Sequence, residues 1–323
     1  MIKYLSPSSI ACFQESEEEF FLRYMVRVPR APQTQAMAAG SAFDACCKAY
    51  ILVEVCKEEI GPLMDQTNDN LEQKLKKYGT VYEPVQYDSD KSDHMNAYEC
   101  LLAESVESQN VSWARDVGKR IFVDYRACGA LENLLGDMEP GTCKPIDSLE
   151  KVVDGIPLLG KPDLMYRSRR FSLQVVDDWK CNGFCTSRTV SPTPGYVDMF
   201  PSRAMHKNCI LELGAGMSIN TQVVPEIYKL QLVIYKLLAD ADVVGISQLV
   251  FDNKSQLRVA KHRYRVSDSL SQEVVNDAKF LWNCVLDYHS SGSFASINAE
   301  RCSQLQKQAG ILADPRIASL VGR

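Results

Sequence analysis

Two short blocks constrain this chain more than any other feature. Gly160-Lys161-Pro162-Asp163-Leu164-Met165-Tyr166 is followed by Val175-Val176-Asp177-Asp178-Trp179-Lys180. Apolar and β-branched residues flank each acid, and such residues favour strands. The pattern predicts strands near 149–154, 157–167 and 171–180. Side chains alternate faces along a strand, so Val176, Asp178 and Lys180 share one face and Val175, Asp177 and Trp179 the other. Asp178 and Lys180 are then about 6–7 Å apart along the chain, and Asp177 points away. Two carboxylates and an amine on adjoining strands are the groups that metal-assisted phosphodiester hydrolysis uses. The carboxylates hold a hard cation, and the amine orients water and offsets developing charge. An Asp-x-Lys triplet alone is common and equally describes a surface ion pair.

Two further segments add weight. In Glu226–Leu238 the apolar residues Leu230, Ile234, Leu237 and Leu238 recur at helical spacing. Gln231 and Tyr235, four apart, share another face with Tyr228. Near the N-terminus, Ser6-Pro7 opens a helix with an aromatic stripe of Phe13, Phe20, Phe21 and Tyr24. A second helix, 38–57, contains Gly40 and Asp44, and small residues around Gly40 permit close approach of a neighbouring backbone.

The order of these parts resembles the RecB-type branch of the PD-(D/E)XK nuclease superfamily. The shared elements are an aromatic Ser-capped helix, a G-x-x-x-acid helix, G-x-x-D, D-x-K and Q-x-x-x-Y, spread over roughly residues 5–240. The stretch Asp178–Gly183 followed by Ser191–Tyr196 is similar to phage-encoded members. The resemblance implies an α/β fold: a restriction-endonuclease-like core with a mixed central sheet flanked by helices, elaborated by N-terminal helices. It implies that Asp163 and Asp178 bind metal with the Trp179 carbonyl, that Lys180 orients the water, and that Gln231 and Tyr235 line the nucleic-acid path. Asp44 stands where many relatives carry a metal-binding His. A carboxylate there makes the donor set all-oxygen, which suits Mg²⁺ or Mn²⁺. The implied activity is a metal-dependent deoxyribonuclease, an exonuclease trimming DNA ends in recombination or DNA processing. A structure-specific endonuclease, a nuclease subunit of a helicase complex and a catalytically silent DNA-binding module are the alternatives. DNA is the expected partner, with a homo-oligomer or a recombination partner protein besides.

The chain's 323 residues accommodate one elaborated domain: a mostly helical part over 1–147, the sheet and the Gln231/Tyr235 helix over 148–266, and C-terminal helices over 267–323. The net charge of −5 is unusual for a sequence-independent DNA binder. Local basic strips offset it: Arg23, Arg27 and Arg30; Arg167, Arg169 and Arg170; and Arg258, Lys261, His262, Arg263 and Arg265, the last predicted as an exposed strand with a basic face. Neither a run of eighteen apolar residues nor the apolar region of a signal peptide is found, so no membrane association and a cytoplasmic location are expected. Twelve cysteines without a secretory signal argue against disulfides. Some relatives carry an iron–sulfur cluster, but Cys12, Cys284 and Cys302 lack its spacing, and none is expected. Zinc on Cys181, Cys185, His206 and Cys209 is a weaker alternative to plain thiols. Residues 58–92 read as irregular with a short helix near 70–78, and 181–222 as a long loop. No G-x-x-x-x-G-K-[ST] motor motif and no glycine-rich dinucleotide fingerprint is found.

Overall fold

The chain enters its sheets through a hairpin. Strands β1 (Leu149–Val153) and β2 (Ile156–Gly160) pair antiparallel around Asp154 and Gly155, whose φ angles of 49° and 80° are the left-handed pair a two-residue hairpin turn demands. Leu5 is stitched to β2 by two backbone hydrogen bonds, to Pro157 and from Leu159. The computed structural model from which these features are taken describes residues 2–28, 32–78, 83–145, 148–181, 210–214, 226–251, 257–292, 294 and 297–308.

A second sheet holds β3 (Leu164–Arg167), β4 (Gln174–Cys181), β5 (Ile210–Leu213), β6 (Val243–Phe251) and β7 (Leu257–Val266) in the order β3-β4-β6-β7-β5. The β3–β4 and β6–β7 pairs are antiparallel, and β4–β6 and β5–β7 are parallel. The sheet is therefore mixed. The segment predicted as one strand, 157–167, is broken: Lys161, Pro162 and Asp163 leave the ladder between β2 and β3. Proline has no N–H to donate there, and the break puts Asp163 in a bend rather than on a strand.

Helices cover both faces. On one, Val176, Val244, Ile246 and Tyr264 pack with α1 (Pro7–Glu15), α8 (Glu226–Ala239) and α9 (Asp268–Ser291). Ser6 and Ser9 close a reciprocal capping box at the start of α1, as the Ser-Pro signal predicts. The aromatic helix breaks at Ser16, which caps α2 (Glu17–Phe20), and continues as a π-helical segment, Phe21–Val26. On the other face, Val175, Trp179, Val243 and Leu249 pack with α3 (Gln35–Ile51), α6 (Ser108–Ala127) and α7 (Ala130–Asp137). Outside α3 lie α4 (Ile60–Tyr78) and α5 (Asp93–Ser105), and α10 (Ala299–Gln308) packs through Cys302 on Leu22 of the π-helical segment that follows α2.

Helix α3 is an alanine-rich spine. Ala38, Ala42, Ala45 and Ala49 are buried, and α6 lies so close that a Cβ on Gly118 would come within 2.6 Å of the Ala42 Cβ. That is the close approach expected of the small residues around Gly40: Ala42 makes it, while Gly40 itself faces open space. With its π-helical continuation to Cys56, α3 is long and apolar enough to cross a membrane by length and composition, yet 61% of its apolar window is buried against the rest of the chain. It also carries Asp44 and Lys48, and serves as a core helix.

Three more expectations are overturned. Residues 60–78 form one long helix, because Ile60, Leu63, Met64 and Leu71 recur on a single buried face despite the polar residues between them. The stretch read as loop over 181–222 contributes β5, whose Leu213 is buried. Because β5 pairs with β7, the basic strand is not a sheet edge, and its basic residues divide: Arg265 is exposed, Lys261 and His262 are half-buried, and Arg263 is covered. Arg263 is buried and donates to Asp137 Oδ2 at 3.1 Å and to the Tyr166 hydroxyl at 2.8 Å.

Candidate active site

The β3–β4 register brings the two predicted carboxylates together. Leu164 pairs with Asp177, so one step further along the antiparallel ladder Asp163 comes opposite Asp178. The Trp179 N–H donates to Asp163 Oδ2 at 2.7 Å, fixing a bend residue to the strand. Trp179 itself is anchored on the far face. Its ring packs edge-on to Phe43, with centroids 6.2 Å apart, and its indole N–H reaches the Tyr125 hydroxyl.

Asp178 and Lys180 share a face of β4, as strand alternation requires, and the Lys180 ammonium contacts Asp178 Oδ2 directly. The same ammonium lies 4.9 Å above the centre of the Tyr228 ring, a cation–π contact. From α8, the Gln231 amide donates to Asp178 Oδ1 at 3.3 Å and to the Tyr235 hydroxyl at 2.8 Å. That hydroxyl in turn donates to the Lys161 carbonyl at 2.9 Å, in the bend that carries Asp163. Gln231 and Tyr235 thus tie the two carboxylate-bearing segments together. Tyr235 is buried rather than on an open helix flank.

Gly160 makes this junction fit. A Cβ there would lie 2.6 Å from Leu238 Cδ1 and 3.0 and 3.1 Å from two carbons of the Tyr235 ring. The glycine of the G-x-x-D pattern and the tyrosine of the Q-x-x-x-Y pattern are therefore direct neighbours.

Asp44 arrives from α3. Its Oδ2 accepts from Lys48 Nζ at 2.7 Å, one turn along the same helix, and that ammonium also stands 3.6 Å from Asp163 Oδ1. Lys48 is buried, and the sequence reading missed it, although a lysine four residues after a candidate acid on a helix is a legible signal. Asp44 Oδ1 is buried and has no hydrogen-bond partner.

Electrostatics follow from this crowding. Burial pushes the Asp178 carboxyl up to about 7, with the Asp163 charge adding to the rise and Lys180 opposing it. Burial likewise pushes Asp44 up to about 7, against the pull of Lys48. For Lys180, burial works to lower the pKa, but Asp178 and Asp163 outweigh it and hold the ammonium up to about 12. The same contest, with Asp44 and Asp163 as the anions, raises Lys48 above the ordinary lysine value.

A cavity of about 440 Å³ opens beside the group, lined by Asp44, Lys48, Asn70, Lys74, Glu104 and Lys161 among others. Its outer wall is α4, the helix underestimated in the sequence. The donor set Asp44, Asp163 and Asp178 is all oxygen, and an orphaned carboxylate oxygen is the kind of atom a hard cation satisfies. The chemistry of the donors therefore fits Mg²⁺ or Mn²⁺. Among the described residues no three His, Cys, Asp or Glu side chains stand close enough, as they lie, to hold an ion; two ammonium groups stand among the carboxylates instead. Of the alternative zinc set, Cys185, His206 and Cys209 lie outside the described residues, as does Arg30 of the first basic strip. Cys12, Cys284 and Cys302 are each buried thiols, and all cysteines among the described residues are free.

No protein-family model and no curated protein matches the chain. Among solved structures, a candidate exonuclease from Eubacterium rectale is similar at 12% identity, covering 88% of this chain and 80% of that one with a TM-score of 0.39. A second, SSO0001, is similar at 13% identity, covering 79% of this chain and 96% of that one with a TM-score of 0.26. Overlaps this low leave the fold family open.

Proposed function

We propose that the chain is a metal-dependent deoxyribonuclease on a restriction-endonuclease-like core, acting as an exonuclease on DNA ends. The observation that carries this reading is the meeting of Asp163 and Asp178 across the β3–β4 register with Lys180 against Asp178. The ordered motifs in the sequence agree with it. Asp163, Asp178 and Asp44, with the Trp179 carbonyl, would hold Mg²⁺ or Mn²⁺. Such an ion supplies Lewis acidity at a phosphoryl oxygen and a more acidic water.

The chain's own groups divide the remaining work. Lys180 holds its proton throughout the neutral range, so it orients a water through N–H donation and offsets negative charge growing on the phosphorus oxygens. Gln231 keeps Asp178 aimed, and Tyr235 holds the Lys161 carbonyl and thereby the Asp163 bend. Gln231, half-buried at the rim, is the one of the pair that can also meet the nucleic acid. Hydrolysis by attack on phosphorus in line with the 3′-oxygen leaves a 5′-phosphate.

The test is purified protein with end-labelled linear and closed circular DNA, single- and double-stranded, in Mg²⁺, Mn²⁺ or EDTA. Loss of linear but not circular DNA, abolished by EDTA, Asp178→Asn and Lys180→Met, is expected. Cleavage of circles would replace the exonuclease with an endonuclease. DNA binding without cleavage, indifferent to Asp178→Asn, would leave a silent binding module.

A further inference from the structure

The reading above uses Lys180 but leaves a second buried lysine unexplained. Lys48 Nζ lies 2.7 Å from Asp44 Oδ2 and 3.6 Å from Asp163 Oδ1. A divalent cation shared by those carboxylates would have to occupy much the same space, since Mg²⁺–oxygen distances are about 2.0–2.1 Å. The ammonium and an ion that takes Asp44 Oδ2 and Asp163 Oδ1 cannot both be there. This also accounts for the absence of a closed ligand set among the described residues: a cation is already present, and it is part of the protein.

We propose that Lys48 is a built-in counter-cation of the metal position, displaced by the arriving ion into the adjoining cavity, where its ammonium grips a backbone phosphate of the DNA strand. The proposal rests on the nuclease reading. Charge requires something of this kind. Three carboxylates gathered at one partly buried place repel one another, and among the described residues Lys48 and Lys180 are the ammonium groups paired with them, with Lys161 beside Asp44 in the cavity wall. Unpaired buried charge is costly, so an empty site needs its own cations.

The cavity makes the exchange feasible. Lys48 lines it together with Asn70, Lys74 and Lys161. A lysine on its four-carbon stem can swing from carboxylate to cavity without moving α3. Once there, it joins Lys74, which also holds the Glu104 carbonyl, and Lys161; the three ammonium groups outnumber the Glu104 and Asp44 carboxylates of the same lining, a setting suited to a phosphodiester oxygen. Metal and strand would then bind cooperatively: each relieves the cost of the other, because the ion frees the ammonium that the phosphate takes.

Two measurements test this, neither of which is turnover. Calorimetric titration of Mn²⁺ alone into the wild-type protein, Lys48→Met and Lys48→Gln is the first. Lys48→Gln keeps a donor to Asp44 without the charge and decides the matter should Lys48→Met fold poorly by circular dichroism. Both variants are expected to bind Mn²⁺ about ten-fold more tightly, roughly 1.4 kcal/mol.

The second is anisotropy of a labelled oligonucleotide in a Lys180→Met background. Adding Mn²⁺ is expected to tighten strand binding at least five-fold, and Lys48→Gln to abolish that gain, whereas Lys57→Gln on the exposed surface keeps it. Folded variants that bind Mn²⁺ no more tightly than wild type, or a metal-dependent gain that survives Lys48→Gln, would overturn the inference and leave the nuclease reading standing. Failure of every form, wild type included, to bind Mn²⁺ would sink both.

Discussion

Gly160→Ala should damage the site from a position that touches no carboxylate. The new methyl would stand 2.6 Å from Leu238 Cδ1 and 3.0 and 3.1 Å from the Tyr235 ring. Comfortable carbon contacts are about 3.5–4.0 Å. Leu238 must therefore retreat by about 1 Å and the ring by about half that. The leucine can comply by rotating its end. The ring is less free, because its hydroxyl accepts from Gln231 at 2.8 Å and donates to Lys161 at 2.9 Å. Strain should pass along that chain to the contact between Gln231 and Asp178.

Overpacking of this kind costs about 1–3 kcal/mol. Replacing glycine by alanine returns about 0.4–1 kcal/mol by restricting the unfolded chain. The net loss should be about 1–2 kcal/mol, a few degrees in Tm for a chain of this size. Turnover on linear DNA should fall further than stability suggests, roughly ten- to a hundred-fold, since misplacement on the ångström scale is costly in an oriented site. A double-mutant cycle with Tyr235→Phe separates the route. If the ring transmits the damage, the two losses do not add. Wild-type melting and turnover in Gly160→Ala, or losses that simply add, would refute the reasoning.

Other outcomes follow from the same contacts. Gly118→Ala sets a methyl 2.6 Å from the Ala42 Cβ and under 3 Å from its backbone, so α3 and α6 must separate, at about 1–3 kcal/mol by denaturant unfolding. Gly40→Ala, in open space within α3, should instead stabilise by about 0.5–1 kcal/mol in the same experiment. Arg263→Met removes one partner of the half-buried Asp137 carboxylate, which keeps Ser168 and the Arg170 N–H, and a donor to the buried Tyr166 hydroxyl, and should cost about 1–3 kcal/mol in a urea titration. Asp44 and Asp178 titrate near 7 in the folded chain, above their ordinary 3.8. The folded form thus keeps protons that the unfolded form has released, so their contribution is full below about pH 4 and is lost as pH rises through about 7. Metal-free protein should melt progressively lower across that window, and Mn²⁺ affinity should tighten across it as protons stop competing.

Much of this arrangement could be read from the chain because it depends on local periods. The two-residue alternation of β4 dictates that Asp178 and Lys180 share a face, and the four-residue step of α8 dictates that Gln231 and Tyr235 do. What could not be read depends on partners far away in sequence. The basic strand β7 has the alternation of an exposed edge, and its pairing with four residues at Ile210–Leu213 takes it off the sheet edge. The bend at Lys161–Asp163 hides inside an apolar run that looks continuous. Helix α4 was obscured by composition: its buried stripe is sound, but the residues between are so polar that the segment resembles a linker. The small residues around Gly40 do meet a neighbouring helix, but which of them touches depends on the partner: Ala42 faces Gly118, and Gly40 faces open space.

Asp177 and Asp178 show why burial and a displaced pKa do not by themselves mark a site. Both are almost wholly buried, and in both burial raises the carboxyl pKa. The difference lies in what faces them. Asp177 accepts from the Ser247 hydroxyl at 2.9 Å and lies against Gly245, where a Cβ would come within 2.9 Å of its Oδ1. Lys261 and Arg263 on β7 draw its pKa back down. These neighbours all belong to the sheet. Asp178 faces two polar side chains, an ammonium on its own strand and the amide of the half-buried Gln231 on α8. Its structural twin should therefore behave differently under the same substitution. Asp177→Asn should lower stability by urea unfolding, because Lys261 and Arg263 lose a buried counter-charge, while metal affinity stays within two-fold of wild type. Asp178→Asn should relieve repulsion within the carboxylate group, leave the metal-free chain as stable or more so, and abolish metal binding. A reversal of that pairing would mean that the reactive face of β4 has been assigned to the wrong side.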